Sequence, residues 1–179
     1  MKKAWAQQQR GFTIVELLIV IVIIGILAAI TIVAYNGIQT RAKNTQRQSD
    51  IATIAKALEV YYADKGQYPA GSGSTTINAS WSTTADASWQ NLVTTMRPYV
   101  STLPPDPTST PGGNVTGSTA NIYNYAYYAN TSTFCGAQPY QMYIIVYRVD
   151  GAQQNYFEGN CSTNVLYYGS SSNYRVVRS

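Results

Sequence analysis

The sequence predicts an α+β protein, in which one long N-terminal helix packs at its C-terminal half against a small antiparallel β-sheet head. Three features point to this class: an apolar segment at residues 12–35, apolar residues at helical spacing over residues 36–66, and short runs rich in Tyr, Ile and Val beyond residue 120. The 179 residues suit about one domain, and only 11% of them are charged. Since soluble domains usually carry about 25% charged residues, most of the polar surface must be uncharged.

Residues 12–35 are predicted to cross a membrane. Sixteen of these 24 residues are Ile, Leu, Val or Phe, and Glu16 is the only charged one. As a helix the segment is about 36 Å long, enough for a hydrocarbon core of about 30 Å. An apolar segment of this length is too long for the buried core helix of a small domain. It is also longer than the apolar core of a signal peptide, which has about 7–15 residues. A plain single-pass anchor stays open as an alternative.

Glu16 speaks against a plain anchor. A carboxylate just inside a membrane span is costly and usually has a partner, which makes it a functional candidate. No partner is evident within this helix from the sequence. We therefore expect the partner to come from outside it.

The residues around Glu16 carry a family resemblance. After a basic leader, the sequence reads Gly11-Phe12-Thr13-Ile14-Val15-Glu16-Leu17-Leu18. This resembles the class III signal of type IV pilins and pseudopilins. The resemblance implies that residues 1–11 are a leader, and that a prepilin peptidase cleaves between Gly11 and Phe12 and N-methylates the Phe12 amine.

The resemblance also implies an assembly role and a set of partners. Glu16 would meet the Phe12 ammonium of a neighbouring copy in a helical filament, with help from the inner-membrane pilus assembly machinery. Basic residues do not orient the span, because three precede it and three follow it closely. The polar, cysteine-containing remainder indicates a cytoplasmic-membrane protein with N-in, C-out topology before assembly and a cell-surface pilus afterwards.

Residues 36–66 are predicted to continue the helix as an amphipathic stalk from about Phe12 to Asp64. Charged residues are expected largely off its apolar stripe, and Gly66 and Pro69 should end it. The stripe comprises Ile51, Ile54, Ala55, Leu58, Tyr61 and Tyr62, and the residues expected off it are Arg47, Asp50, Lys56 and Lys65.

The head is predicted to span residues 67–179. Residues 70–88 read as an exposed loop, and residues 87–97 as a short helix. Strands are expected at residues 122–129, 141–149, 154–157, 165–168 and 175–178. Tyr68-Pro69 and the proline-rich run at residues 103–107 resemble turns in pilin and pseudopilin heads.

Cys135 and Cys161 predict one disulfide in an oxidising compartment, with a reduced cytosolic pair as the alternative. The absence of His excludes Ser-His-Asp chemistry and His-ligated metal sites. Asp106, Asp150 and Glu158 are too scattered in sequence to indicate a calcium site. We expect no cofactor, no metal and no enzymatic activity.

The Tyr residues of the head suit ordinary strand packing, although an adhesive surface is an alternative. The net charge of +4 is no sign of a nucleic-acid partner, because removing residues 1–11 leaves nine basic and eight acidic residues. The predicted function is a structural subunit of a type IV pilus that supports adhesion, twitching motility or DNA uptake. The alternatives are a type II secretion pseudopilin and a non-polymerising membrane-anchored binding protein.

Overall fold

The computed structural model describes residues 11–117, 119, 121–151, 156–157 and 173–178. Contacts divide the chain into two units, residues 1–41 and residues 42–179. Its elements in chain order are α1 (Ile14–Lys65), β1 (Trp81–Thr83), α2 (Ser88–Met96), β2 (Ala126–Ala129), β3 (Met142–Tyr147), β4 (Tyr156–Phe157) and β5 (Asn173–Arg178).

Helix α1 confirms the predicted long helix and ends where the sequence places its stop. Gly66 follows the helix with φ of 68°, and its N–H donates to the carbonyl of Tyr62 at 2.7 Å. This is an αL cap, a conformation that glycine adopts without the strain caused by a Cβ atom. The cap turns the chain out of the helix and into the head.

Within the second unit, the apolar stripe of α1 forms one side of the main core. Ile54 and Leu58 are completely buried there. Burying one such aliphatic side chain contributes about 1.5–3 kcal/mol. The same cluster includes Leu92 and Met96 of α2 and Tyr127 and Tyr143 of the sheet. The predicted packing of the helix against the sheet is therefore confirmed.

The sheet has five strands in the order β1-β2-β3-β5-β4. Pairs β1–β2, β2–β3 and β3–β5 are antiparallel, as expected, whereas the two-residue β4 runs parallel to β5. A second apolar cluster, which includes Val115, Met142 and Ile144, covers the opposite face. All six side chains of β3 are buried for this reason, and the strand reads as a continuous apolar run.

The prediction that residues 70–88 form an exposed loop is wrong in its second half. Trp81, Ser82 and Thr83 are buried and form β1. Preceding residues cover the outer edge of this strand, because Ser74 N–H donates to the Trp81 carbonyl at 2.9 Å and Ser72 N–H donates to Ser82 Oγ at 2.8 Å. A covered edge prevents pairing with another chain.

Gly71 allows this close approach. A Cβ atom there would lie 1.9 Å from the Ser80 carbonyl oxygen, so the covering loop requires glycine.

The other head elements agree in type but differ in bounds. Helix α2 falls within the predicted 87–97. Strand β2 begins four residues later than predicted, β3 lies inside the predicted 141–149, and β5 extends the terminal strand at its start. The strand predicted at residues 165–168 lies outside the described residues.

Candidate processing and assembly site

The predicted processing position lies in an exposed stretch just before α1. Gly11, Phe12 and Thr13 belong to no regular element, and Phe12 is 83% exposed. Neither residue of the Gly11–Phe12 bond therefore belongs to a helix or a strand.

Thr13 and Glu16 form a reciprocal cap at the start of α1. The N–H and the Oγ1 of Thr13 both donate to Glu16 Oε2 at 2.8 Å, and Glu16 N–H donates to Thr13 Oγ1 at 3.2 Å. This is a capping box, which satisfies amide groups that the first helical turn leaves unpaired. The negative charge of Glu16 also suits the positive end of the helix dipole.

The cap gives Glu16 a partner directly before its own helix, which the sequence had not made evident. A Thr followed three residues later by Glu is a recognisable sequence signature of a helix start, and Thr13 was overlooked as a site residue. Both hydrogen bonds from Thr13 end on Oε2. The other carboxylate oxygen is not used by the cap.

The part of α1 that lies in the first unit exposes a largely apolar surface. Large apolar side chains from Ile14 to Ile38 are at least half exposed all around the helix. Among the described residues, α1 is the one helix with a stretch long and apolar enough to cross a membrane. None of that stretch is buried, which distinguishes it from the core helix of a soluble protein. Lipid or other protein must cover this surface.

The head contains a buried charged cluster that sequence analysis missed. Arg47 was expected off the apolar stripe, but it is only 1% exposed, and its Nε donates to Asp106 Oδ2 at 2.9 Å. Arg47 also donates to Thr108 and Asn44, and its guanidinium carbon lies 4.4 Å from the ring centroid of Tyr123.

This cluster is held from several sides. Asp150 Oδ2 lies 3.8 Å from Arg47 Nη1, so two acids that are far apart in sequence meet one cation. Asp50, on the same helix, accepts from Tyr125 OH at 2.9 Å, and burial raises the pKa of its carboxyl group. The cluster anchors the proline-rich turn to α1. Within the described part of the chain, no three His, Cys, Asp or Glu side chains are grouped as metal ligands.

Two buried asparagines flank β2 and organise the long loops. Asn124 Nδ2 donates to the carbonyls of Thr110 and Gly113, both at 2.8 Å. Asn130 Nδ2 donates to the Gln138 carbonyl at 2.6 Å, and Asn130 Oδ1 accepts from Met142 N–H at 3.0 Å. Bonds of this kind depend on tertiary structure, so no local sequence pattern identifies them.

Cys135 lies in a two-residue hairpin turn. Phe134 and Ala137 exchange both backbone hydrogen bonds, at 3.1 and 2.9 Å, around Cys135 and Gly136, which have φ values of 51° and 76°. These positive angles are typical of a type I′ turn. Cys161 lies outside the described residues, so the disulfide stays a prediction.

Two family profiles match different parts of the chain. The prokaryotic N-terminal methylation motif matches residues 7–32, and protein G of the type II secretion system (T2SS) matches residues 35–115. The first match covers the capped helix start and most of the apolar segment. The second extends through the rest of α1 and the first half of the head. No solved structure matches the chain significantly.

Individual relatives match over a shorter length. Fimbrial protein EcpC of Eikenella corrodens is 42% identical over 74 residues, which are 41% of this chain and 48% of the relative. T2SS core protein G of Pseudomonas aeruginosa is 42% identical over 64 residues, 36% of this chain and 45% of the relative. The Escherichia coli protein of the same name is 40% identical over 62 residues, 35% and 43% of the two chains.

The chain thus spans less than half the length of these curated relatives. The matched features nevertheless agree with each other and with the fold, since a methylation motif precedes a long apolar helix whose second half packs on an antiparallel sheet. From these matches and this architecture, we conclude that the chain belongs to the type IV pilin and pseudopilin family, a structural rather than an enzymatic family.

Proposed function

We propose that this chain is a structural subunit that is cleaved after Gly11, N-methylated at Phe12 and polymerised into a type IV pilus. The observation that carries the proposal is the exposed apolar surface of α1 between Ile14 and Ile38. Such a surface is stable in lipid before assembly and against other copies of the same helix afterwards. Adhesion, twitching motility and DNA uptake are the outputs that such a filament supports.

The exposed Gly11–Phe12 bond is the proposed cleavage site of a prepilin peptidase. Glycine at this position leaves the carbonyl side of the bond free of a side chain. We expect Gly11→Ala, or a larger residue there, to leave residues 1–11 attached. Intact-mass measurement of the membrane-fraction protein reads this directly, and normal removal of the leader would contradict the assignment.

Cleavage creates a new positive charge next to Glu16. In the proposed filament, the Phe12 ammonium of one copy meets the Glu16 carboxylate of a neighbour. Opposite charges a few ångströms apart attract far more strongly in an apolar setting than in water. We expect Glu16→Ala to leave membrane insertion intact and to reduce the yield of sheared filaments. Normal filament yield from this variant would rule the pairing out.

The proposed division of the chain follows from this life cycle. Residues 1–11 are the removable leader, residues 12–35 the membrane and assembly helix, residues 36–66 its amphipathic continuation, and residues 67–179 the head. Before assembly, the subunit is proposed to lie in the cytoplasmic membrane with N-in, C-out topology, where the pilus assembly machinery collects it.

A head outside the cytoplasm is compatible with a disulfide between Cys135 and Cys161, because that environment is oxidising. Gel electrophoresis tests this disulfide. The reduced and non-reduced proteins should migrate differently, and Cys135→Ser should abolish the difference.

A type II secretion pseudopilin is the second candidate. The match of residues 35–115 to the T2SS protein G profile favours it. A deletion strain separates the two functions when surface filaments and secreted proteins are measured in parallel. Loss of surface filaments supports the pilus subunit, and loss of secretion with filaments intact supports the pseudopilin.

Electron microscopy of sheared filaments, with mass spectrometry of their main component, tests polymerisation itself. We expect the main component to be this chain, starting at a methylated Phe12. An unassembled membrane protein that keeps Met1 would instead favour a non-polymerising membrane-anchored binding protein.

A further inference from the structure

A shallow groove runs along the outer side of α1 in the second unit. Its volume is about 320 Å³. Four of its lining residues come from α1 and two follow α2: Thr53, Lys56, Ala57, Val60, Tyr99 and Val100.

The groove contains an exposed apolar side chain, which is rare on the surface of this unit. Val60 is 47% exposed, and it is the only large apolar side chain that is exposed among the described residues beyond 41. A single exposed Val is ordinary on a protein surface. Here, however, Val60 lies in a concave site with Ala57 and Val100 beside it, so a side chain placed there contacts several apolar groups at once.

One wall of the groove is held in place. Tyr99 OH donates to Asp64 Oδ2 at 2.6 Å, and the Tyr99 ring meets the Tyr61 ring edge-on at a centroid distance of 5.0 Å. Two contacts of different kinds therefore fix this side chain. A wall that needs no reordering lowers the entropy cost of filling the groove.

Lys56 is the one charged residue among those that line the groove. Lys56 is exposed and forms no ion pair with any residue in the described part of the chain. The same head exposes carboxylates of its own, at Asp64 and Asp150, whose side chains are 54% and 38% exposed. A second copy can therefore supply a charge complementary to Lys56.

We propose that this groove receives a second copy of the same chain, with an apolar side chain on Val60 and a carboxylate beside Lys56. The proposal rests on the proposed filament, in which copies that cover the apolar part of α1 also lie beside the rest of that helix. The exposed Asp150 lies outside the groove lining, so a neighbouring copy that supplies this carboxylate meets Lys56 through a different patch of its surface. Such a contact is heterologous, and heterologous contacts that do not close produce open helical polymers.

The test places a photo-crosslinking amino acid, p-benzoylphenylalanine, at Val60 of the full-length chain in cells that assemble filaments. We expect an adduct with the mass of two copies after irradiation, and less of it, in proportion to the lower filament yield, when the chain also carries Glu16→Ala. Normal filaments of the crosslinker-bearing chain that give no two-copy adduct, or an adduct with another protein alone, would overturn the groove assignment. Failure of the wild type to form any filament would overturn the proposed function instead, and the groove assignment with it.

Substitutions that change the charge of the groove provide a second test of the proposed interface. We expect Val60→Asp to lower filament yield about tenfold, because an uncompensated carboxylate enters an apolar contact. Thr95→Asp, at an exposed position on α2, is the matched control, and Lys56→Arg should preserve assembly where Lys56→Glu reduces it. Val60→Asp filaments at the wild-type level would exclude the groove as an interface.

Discussion

Arg47 and Asp106, 59 residues apart in sequence, form an ion pair inside the head, with Nε and Oδ2 at 2.9 Å and both side chains almost completely buried. Two further groups contribute, since Arg47 Nη2 lies 3.4 Å from Asp106 Oδ1 and Thr108 N–H donates to that same oxygen at 2.8 Å. The carboxylate is thus bound by a guanidinium and by the backbone of its own turn. This pair joins the stalk helix to the proline-rich turn.

Removing one partner of this pair should be costly. Asp106→Asn leaves the buried guanidinium with only the more distant, partly exposed carboxylate of Asp150, 3.8 Å away, as counter-charge. We expect a loss of about 3 kcal/mol in the free energy of unfolding. Urea denaturation of the processed protein in detergent measures it. Tryptophan fluorescence is a suitable probe, because Trp81 and Trp89 are the only tryptophans left after removal of residues 1–11.

The double variant Arg47→Met with Asp106→Leu is the control for this experiment. Replacing both charges by apolar groups removes the desolvation cost together with the attraction, so it should be far less destabilising than Asp106→Asn alone. Equal losses in the two variants would mean that packing, and not the unpaired charge, dominates.

The capping box predicts separate roles for Thr13 and Glu16. Thr13→Val removes the hydroxyl that donates to the carboxylate, at a cost of about 1 kcal/mol to the helix start, whereas Thr13→Ser keeps it. Amide hydrogen exchange over residues 14–17 in detergent should become faster in the Val variant alone. Because Thr13→Val retains the Glu16 charge, its filament yield should exceed that of Glu16→Ala. Identical yields would assign the effect of Glu16 to the cap.

Asn130 should be a stability residue and not a glycosylation acceptor, although Asn130-Thr-Ser132 matches the acceptor pattern. Its side chain is completely buried and bonded at both ends. Asn130→Ala leaves the Met142 amide without its side-chain acceptor, and we expect a loss of about 1–3 kcal/mol. Asn78→Ala, at an exposed turn, should change the thermal midpoint much less. Comparable shifts in the two variants would contradict the buried role.

Acid should weaken the loop that covers β1. Burial opposes ionisation of Asp86, but hydrogen bonds from Ser88, Ser74 and the Thr76 amide outweigh it and hold the pKa below the usual 3.8. A carboxyl group with a depressed pKa stabilises the fold above its unfolded pKa and loses that effect as the pH falls through the folded value. Thermal midpoints should therefore drop below about pH 4, and less so in Asp86→Asn.

The carboxyl group of Asp50 should contribute to the pH dependence of stability with the opposite sign to that of Asp86. Burial raises the pKa of its carboxyl group, with Tyr125 opposing this through a hydrogen bond and Asp106 adding to it through charge repulsion. A raised carboxyl pKa means that the folded state binds the proton more tightly, so this group favours folding more as the pH falls. Asp50→Asn should accordingly make the acid loss of stability steeper. A shallower acid limb in this variant would contradict the sign.

The sequence predicted what depends on local pattern. The apolar run, the stripe at Ile54 and Leu58, and the glycine stop at Gly66 each follow from the period of one element and from backbone sterics. The Thr13–Glu16 cap was also readable from its spacing. It was missed because Glu16 was considered as a membrane charge and not as a member of a helix start.

The missing parts depend on contacts between distant segments. The charge of Arg47 suggested a position off the apolar stripe, but Asp106, 59 residues away in sequence, pairs with it inside the head. Strand β1 has three residues amid Ser and Thr, too few for a visible period of two, and is buried because β2 and the loop at residues 71–80 enclose it. Tertiary partners overrode composition in both places.

The order of strands in the sheet has a consequence for how the head reaches its final state. Strand β3 pairs on one side with β2, but its other neighbour is β5, and β4 pairs with β5 alone. Until residues 173–178 arrive, the most apolar strand of the head has an open flank. Non-local pairing of this kind is slow to form, and an open strand invites association with other chains. A newly made chain is therefore most vulnerable to misassociation while β5 is still unpaired. Variants that delay the pairing of β5 should accumulate as aggregates without being unstable once folded.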